Sequence, residues 1–163
     1  MHEPANREYK QELATFLENL SLLLLEQKQY ALAAQKNSES LDLLKQLALP
    51  TLELQSARAQ AERCAILLPT DPQGADRVCD QAFERLQTLK RMQIGARDDF
   101  QRVSTILGYN YVDLIKGSSA PGLQNLQMTA LRYLYRLLPD VQEEARKELE
   151  DSYRELNQGV STH

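Results

Sequence analysis

The sequence predicts an all-α protein, and three observations support this fold class. Leucine dominates the apolar residues, with 29 Leu against 9 Val and Ile, and leucine favours helices whereas β-branched residues favour strands. Apolar residues recur at three- and four-residue steps, and no segment alternates with a period of two. Proline and glycine divide the chain of 163 residues into segments of helical length.

These breaks, together with a polar interruption at Lys28 and Gln29, define seven helices. We place the helices near residues 7–27, 30–48, 51–68, 72–92, 97–116, 121–138 and 140–157. We expect them to form a single domain over residues 1–157, because each apolar stripe has to pack against a neighbour. Residues 158–163 are expected to form a disordered tail.

The fifth helix shows the periodicity and one exception to it. The apolar stripe of this helix consists of Phe100, Val103, Leu107, Tyr111 and Leu114. A glycine at position 108 interrupts the helix, and a mid-helix glycine costs about 1 kcal/mol relative to alanine. It either lets a neighbouring helix approach closely or marks a kink, and the sequence leaves both explanations open.

Composition and charge exclude two classes of partner. The net charge is −4 and is spread evenly along the chain, without the basic face that nucleic-acid binding requires. The longest apolar run, Leu22–Leu25, is far shorter than the ~20 residues of a membrane span. The first residues show no basic patch followed by an apolar stretch, so we expect no secretory signal. We therefore expect a cytoplasmic protein that binds neither nucleic acid nor membrane.

The two cysteines, Cys64 and Cys79, do not constitute a disulfide framework. They lie on paired helices and can be near each other. We interpret both as small, reduced core residues, which agrees with a cytoplasmic setting.

The residues required for catalysis are missing from the interior of the sequence. Histidine occurs only at His2 and His163, near the two ends. A Ser/His/Asp or Cys/His site requires an ordered histidine beside the nucleophile, and zinc sites require clustered Cys or His. No phosphate-binding glycine motif is visible. We therefore expect no enzymatic activity, no catalytic residue, no metal site and no cofactor.

An internal repeat links the second and fourth helices. Small residues lie seven apart at Ala33 and Ser40 and again at Ala75 and Ala82, offset by 42 residues. Small residues two turns apart on one face let a second helix approach closely. Seven helices then divide into three helix-turn-helix pairs and one additional helix.

The chain resembles tetratricopeptide-repeat proteins at these positions. The best match is in the first pair, where the residues at the family's spacing are Leu17, Asn19, Leu20, Ser21, Leu24, Tyr30, Ala33 and Ser40. The 42-residue period exceeds the family's usual repeat of about 34 residues and is similar to the longer repeats of kinesin light chains. The first 90 residues also resemble repeat arrays attached to some bacterial serine/threonine kinases, although no kinase signature is present.

This resemblance implies a fold and a function. The fold is a short right-handed array of three helical hairpins, at about 7–48, 51–92 and 97–138, closed by a capping helix at 140–157. The function is a non-enzymatic protein-interaction module, a scaffold or adaptor that binds a peptide or helix in its concave groove and is part of a larger protein. The first helix of each pair would line that groove.

The same resemblance suggests binding residues in the first helix. In the repeat register, the outward candidates are Glu18, Asn19, Leu22 and Leu25. Asn19 occupies a position where the family often uses asparagine to hydrogen-bond a peptide backbone. Glu18 stands where the clamp for chaperone C-termini needs a basic residue, which argues against that ligand. The two leucines suggest an apolar or helical ligand, or a covered face.

A second candidate surface lies in the sixth helix. Tyr133 and Tyr135 point to opposite sides of that helix, so at most one of them can belong to the core. Tyrosine and arginine are enriched in interface hot spots, which makes Tyr133 and Arg136 further candidates for binding. The alternative is that these side chains fill a seam between helices.

One other architecture remains open: a compact helical bundle that acts as a chaperone or adaptor for an exported protein. Such a bundle is small, acidic and leucine-rich, and it predicts a dimer with a helix-binding groove. The 42-residue repeat speaks against it, because a bundle does not require repeats.

Overall fold

The computed structural model describes residues 4–49, 52–118 and 122–161. Within these ranges the chain forms seven α-helices and no strand, which confirms the all-α prediction. The helices are α1 Pro4–Glu26, α2 Tyr30–Leu47, α3 Glu53–Leu67, α4 Pro72–Arg91, α5 Arg97–Gly117, α6 Gln124–Leu137 and α7 Glu143–Ser161. None of these helices is long and apolar enough to cross a membrane.

Local signals explain where the helices begin and end. The predicted break between α1 and α2 falls at Lys28, which adopts a φ of 61°. Asp71 caps α4, because its Oδ1 accepts a hydrogen bond of 3.0 Å from the backbone N–H of Gly74. Pro72 follows as the first helical residue, where its missing N–H costs nothing.

The last helix differs from its predicted bounds at both ends. Leu138–Asp140 forms a short 3₁₀ helix, and the Asp140 carboxylate accepts two hydrogen bonds of 2.8 Å from Lys90 Nζ. The α-helix therefore begins at Glu143 rather than at residue 140. It continues to Ser161, so residues 158–161 of the predicted tail are helical, and residues 162 and 163 lie outside the described residues.

Consecutive helices are the main packing partners. The most extensive contacts join α1 to α2, α3 to α4 and α5 to α6, while α3 also packs on α5, and α7 packs on α5 and α6. One large apolar core lies among α3, α4, α5, α6 and α7. Two smaller clusters, around Leu44 and Ala33, join α1, α2 and α3. Apolar packing thus forms one large core among the last five helices and two small clusters where α1 and α2 meet α3.

The small-residue faces lie where helices meet. Ala33, Asn37 and Ser40 in α2 are fully buried, as are Ala75 and Ala82 in α4. The short side chain of Ser40 brings its hydroxyl within 2.7 Å of the Ala14 carbonyl, to which it donates a hydrogen bond. The small residues therefore allow the close helix approach that their spacing predicted.

Two buried asparagines, one on each of two neighbouring helices, hydrogen-bond to the backbone of α3. Asn37 in α2 donates a hydrogen bond of 2.9 Å from Nδ2 to the carbonyl of Ala59. Asn110 in α5 donates one of 2.7 Å to the carbonyl of Ala61. Each amide is thereby satisfied in the interior, where an unpaired polar group is costly.

Gly108 serves the close approach of a neighbouring helix. The helix α5 continues without a break on both sides of it. A Cβ atom at this position would lie 3.1 Å from Leu149 Cδ1 of α7, which is closer than ordinary van der Waals contact. The absence of a side chain thus lets α7 pack directly on the backbone of α5.

The two cysteines are buried, as predicted, but they are not reduced. Cys64 in α3 and Cys79 in α4 are joined by a disulfide, with their Cα atoms 5.3 Å apart. The packing of α3 against α4 places the two positions opposite each other at a separation that suits a disulfide. The expectation of reduced thiols is wrong: the sequence indicated that the two residues can be near each other, but not that their side chains face each other at bonding distance.

Candidate binding groove

A groove of about 430 Å³ opens between α1, α3 and α5. These are the first helices of the three predicted pairs. One wall carries Gln11 and Thr15 from α1, and the opposite wall carries Asp99, Arg102 and Val103 from α5. Between the walls, α3 contributes Leu54, Gln55 and Arg58, and the segment before α5 contributes Ile94, Gly95 and Ala96.

The floor of the groove contains a buried ion pair. The Glu18 side chain is only 1% exposed, and its Oε1 accepts a hydrogen bond of 2.7 Å from Arg58 Nε. Arg58 Nη2 donates a second bond of 3.3 Å to Oε2. The hydrogen bond with Glu18 raises the pKa of Arg58. Because the Arg58 side chain keeps 28% of its surface exposed, it also faces the groove.

A second carboxyl group, that of Glu62, lies beside this pair. It is buried, with its Oε1 3.9 Å from Arg58 Nε. Burial, the negative charge of Glu18 and a hydrogen bond with Glu18 raise the pKa of Glu62 to about 9, although Arg58 acts in the opposite direction. Glu62 therefore holds its proton at neutral pH. We call Glu18, Arg58 and Glu62 the charged floor.

The charged floor predicts that stability falls as the pH rises from 7 to 9. The folded state holds the Glu62 proton up to about pH 9, whereas an unfolded glutamate loses it near its ordinary value of about 4.3. Between these values the folded state binds more protons than the unfolded state, so the free energy of unfolding decreases with pH. Urea unfolding at pH 7, 8 and 9 measures this decrease.

The matched control is Glu62→Gln, which keeps the shape of the side chain and removes its titration. We expect this variant to show a much flatter pH dependence over the same range. Asp76 does not interfere, because burial raises its pKa only to about 6, below the window. Equal slopes for the two proteins would show that Glu62 does not hold its proton in the folded state.

The predicted residues of α1 occupy different environments. Glu18 is buried in the charged floor rather than exposed at the groove surface. Asn19 is exposed and is not among the residues that line the groove. Leu22 and Leu25 are half-buried, and Leu25 packs against the cluster around Ala33. Glu18, Leu22 and Leu25 follow one another at four- and three-residue steps on one side of α1, whereas Asn19 lies about 100° around the helix from Glu18 and does not share their surface.

The other two predicted binding residues, Tyr133 and Arg136, lie in α6, away from this groove. The Tyr133 ring is half-buried, with its centroid 4.6 Å from that of Phe83 and 5.7 Å from that of Tyr111. The Arg136 guanidinium lies 4.8 Å from the Phe83 ring centroid. Tyr133 thus fills a seam between helices, whereas Tyr135 is exposed and lines a separate surface depression with Arg136.

The sequence does not single out Gln55, Arg58 or Glu62. Gln55 Nε2 donates a hydrogen bond of 3.1 Å to Thr15 Oγ1, which bridges α3 to the wall of the groove. No signal in the sequence separates Arg58 and Glu62 from the other polar residues nearby, because residues 57–64 alternate small residues with Arg58, Gln60, Glu62 and Arg63.

Comparison with known proteins does not assign the chain to a family. No protein-family model, curated protein or solved structure matches this chain. The described ranges also contain no group of three or more His, Cys, Asp or Glu residues placed to hold a metal ion. The groove combines the partly exposed guanidinium of Arg58 and polar side chains on both walls with apolar contact from Leu54, Ile94 and Val103.

Proposed function

We propose that this chain is a non-enzymatic protein-interaction module, a tetratricopeptide-like helical array that binds a peptide or helix in the groove between α1, α3 and α5. The observation that carries the proposal is Arg58, a partly exposed arginine held in one orientation at the base of an open groove. A donor that is already positioned loses little conformational freedom when a partner binds. This is the property of an interaction hot spot.

The surroundings of Arg58 suit a peptide. Leu54, Ile94 and Val103 offer apolar contact along the groove. The outer edge of the Arg58 guanidinium can donate hydrogen bonds to backbone carbonyls, and the side-chain oxygen of Gln55 can accept one from a backbone N–H.

The proposal is tested by blocking the groove with a large side chain. Gln11 is exposed on the α1 wall, so Gln11→Trp fills the groove without disturbing the core. Peptides selected from a phage-displayed random library on the unmodified chain are measured by fluorescence anisotropy. We expect Gln11→Trp to weaken their binding about tenfold or more, an effect typical of a hot-spot change.

The matched control for this test is Gln35→Trp, because Gln35 is exposed on α2 and does not line the groove. We expect the control to bind the selected peptides as the unmodified chain does. Selected peptides that bind Gln11→Trp and Gln35→Trp equally well would place the interaction elsewhere and contradict the proposal.

Two observations bear on cellular location. The sequence analysis favours the cytoplasm, whereas disulfides such as that between Cys64 and Cys79 are typical of oxidising compartments. Lysis of the cells directly into a denaturant that contains an alkylating reagent distinguishes the two. If the module functions in the cytoplasm, both cysteines should be alkylated. Protection of both cysteines by the disulfide would assign the module to an oxidising compartment.

A further inference from the structure

The outward face of α1 carries a continuous apolar stripe. Tyr9, Phe16 and Leu23 recur every seven residues, and their side chains are 63%, 62% and 51% exposed. Leu13 and Leu20 lie between them and are half-buried. The spacing of the five residues is four, three, four and three, which is the heptad pattern of a seam that receives another helix. We call these five residues the α1 stripe.

Exposed apolar residues concentrate at this end of the molecule. Among the described residues, seven large apolar side chains are exposed. Four of them belong to α1 and the start of α2, namely Tyr9, Phe16, Leu23 and Leu32, and the other three are Met92, Met128 and Tyr135. Single exposed apolar residues are normal on a protein surface, but a contiguous group indicates an interface.

The exposed charges on one flank of the α1 stripe are all negative, whereas Lys10 lies half-buried on the opposite flank. Glu8, Glu12, Asn19 and Glu26 are exposed and follow the same side of α1, adjacent to the stripe. This row contains three glutamates and no lysine or arginine. On the α2 side of the stripe, Lys36 is paired with Glu39 at 3.5 Å.

We propose that the α1 stripe docks an amphipathic helix from a partner protein, with apolar residues at heptad spacing and lysine or arginine along one flank. The partner's apolar residues would cover the stripe, and its basic flank would meet the three glutamates. A second copy of this chain is a poorer fit, because antiparallel pairing of two α1 helices brings the two acidic rows together. This site is separate from the groove, so it stands independently of the proposed function.

The experiment uses two synthetic peptides and the full chain. Each peptide is a helix of about 21 residues with leucine at the a and d positions of three heptads. One peptide carries lysine on its flanks, and the other carries glutamate at the same positions. We expect the lysine peptide to bind about tenfold or more tightly than the glutamate peptide, as measured by fluorescence anisotropy.

Two variants locate the binding site of the lysine peptide. Phe16→Asp places a charge in the middle of the stripe, and we expect it to weaken binding about tenfold or more. The matched control is Tyr135→Asp, because Tyr135 is 61% exposed on α6 and lies outside α1. The control should bind as the unmodified chain does. Circular dichroism verifies that both variants keep their helical content.

The contribution of the acidic row has its own variant. This variant combines three substitutions, Glu8→Gln, Glu12→Gln and Glu26→Gln. It should bind the lysine peptide more weakly, and its binding should depend less on salt. Equal binding of the peptide to Phe16→Asp and to Tyr135→Asp would overturn the proposal. Sedimentation that shows a dimer dissociated by Phe16→Asp would also overturn it, because a second copy would then occupy the stripe.

Discussion

Replacing Arg58 with alanine should lower the free energy of unfolding by about 3 kcal/mol. The change leaves the Glu18 carboxylate without its charge partner in a site where its side chain is only 1% exposed. Removal of one partner from a buried ion pair typically costs about 3–5 kcal/mol. We expect the lower end of that range because Arg58 is 28% exposed, so water can enter and hydrate the remaining carboxylate.

Urea unfolding of four proteins tests this expectation: the unmodified chain, Arg58→Ala, Glu18→Gln and the double variant. If the pair is coupled, Glu18→Gln should recover part of the stability that Arg58→Ala loses, because an amide tolerates the uncharged environment better than a carboxylate. The double-mutant cycle then gives a coupling energy well above zero. Additive losses would mean that Arg58 stabilises the fold through packing alone and not through Glu18.

Reduction of the Cys64–Cys79 disulfide is expected to lower the free energy of unfolding by about 3 kcal/mol. The disulfide closes a loop with a sequence separation of 15, and a closed loop of about 15 residues is worth about 3 kcal/mol through the lost freedom of the unfolded chain. For a protein of this size, that change corresponds to a Tm lower by about 6–12 °C. Calorimetry with and without a phosphine reductant measures the difference.

The double variant Cys64→Ala with Cys79→Ala distinguishes the effect of losing the disulfide from any direct effect of the reductant on the Tm. Its Tm should not respond to the reductant, since it has no disulfide to lose. It should also be less stable than the oxidised chain, partly because two buried sulfur atoms are replaced by hydrogen. A reductant that fails to shift the Tm of the unmodified chain, after mass spectrometry has verified reduction, would contradict the expectation.

Most of the helical content could be predicted from the sequence because it depends on local interactions. Pro72 marks the start of α4 through its own backbone restriction and the adjacent Asp71 cap, and Lys28 marks a turn in an otherwise continuous apolar run. Each signal acts within a few residues. The start of α7 was harder to predict, because the residues before it contact distant helices: Asp140 pairs with Lys90, and the backbone N–H of Gln142 donates to Thr105 Oγ1.

The candidate site could be predicted only in outline. The sequence singled out Glu18 but not its partners Arg58 and Glu62, which lie 40 and 44 positions further along the chain. Their contact depends on the rotation of α3 against α1, which periodicity does not determine. The disulfide could not be predicted for the same reason. The small residues around Cys64 and Cys79 indicate that two helices pack closely, but not which side chains face each other.

The two asparagine contacts on α3 have a consequence for how the molecule opens. Ala59 and Ala61 accept amide hydrogen bonds from α2 and α5, so α3 cannot slide by one turn, about 5.4 Å, without breaking both. Linear repeat arrays often fray unit by unit from their ends. Here the first helical pair and the rest of the core share one central helix whose position both sides fix. A shift of α3 therefore disturbs its contacts with both neighbours, and we expect the first helical pair and the rest of the core to lose their structure together rather than in sequential steps.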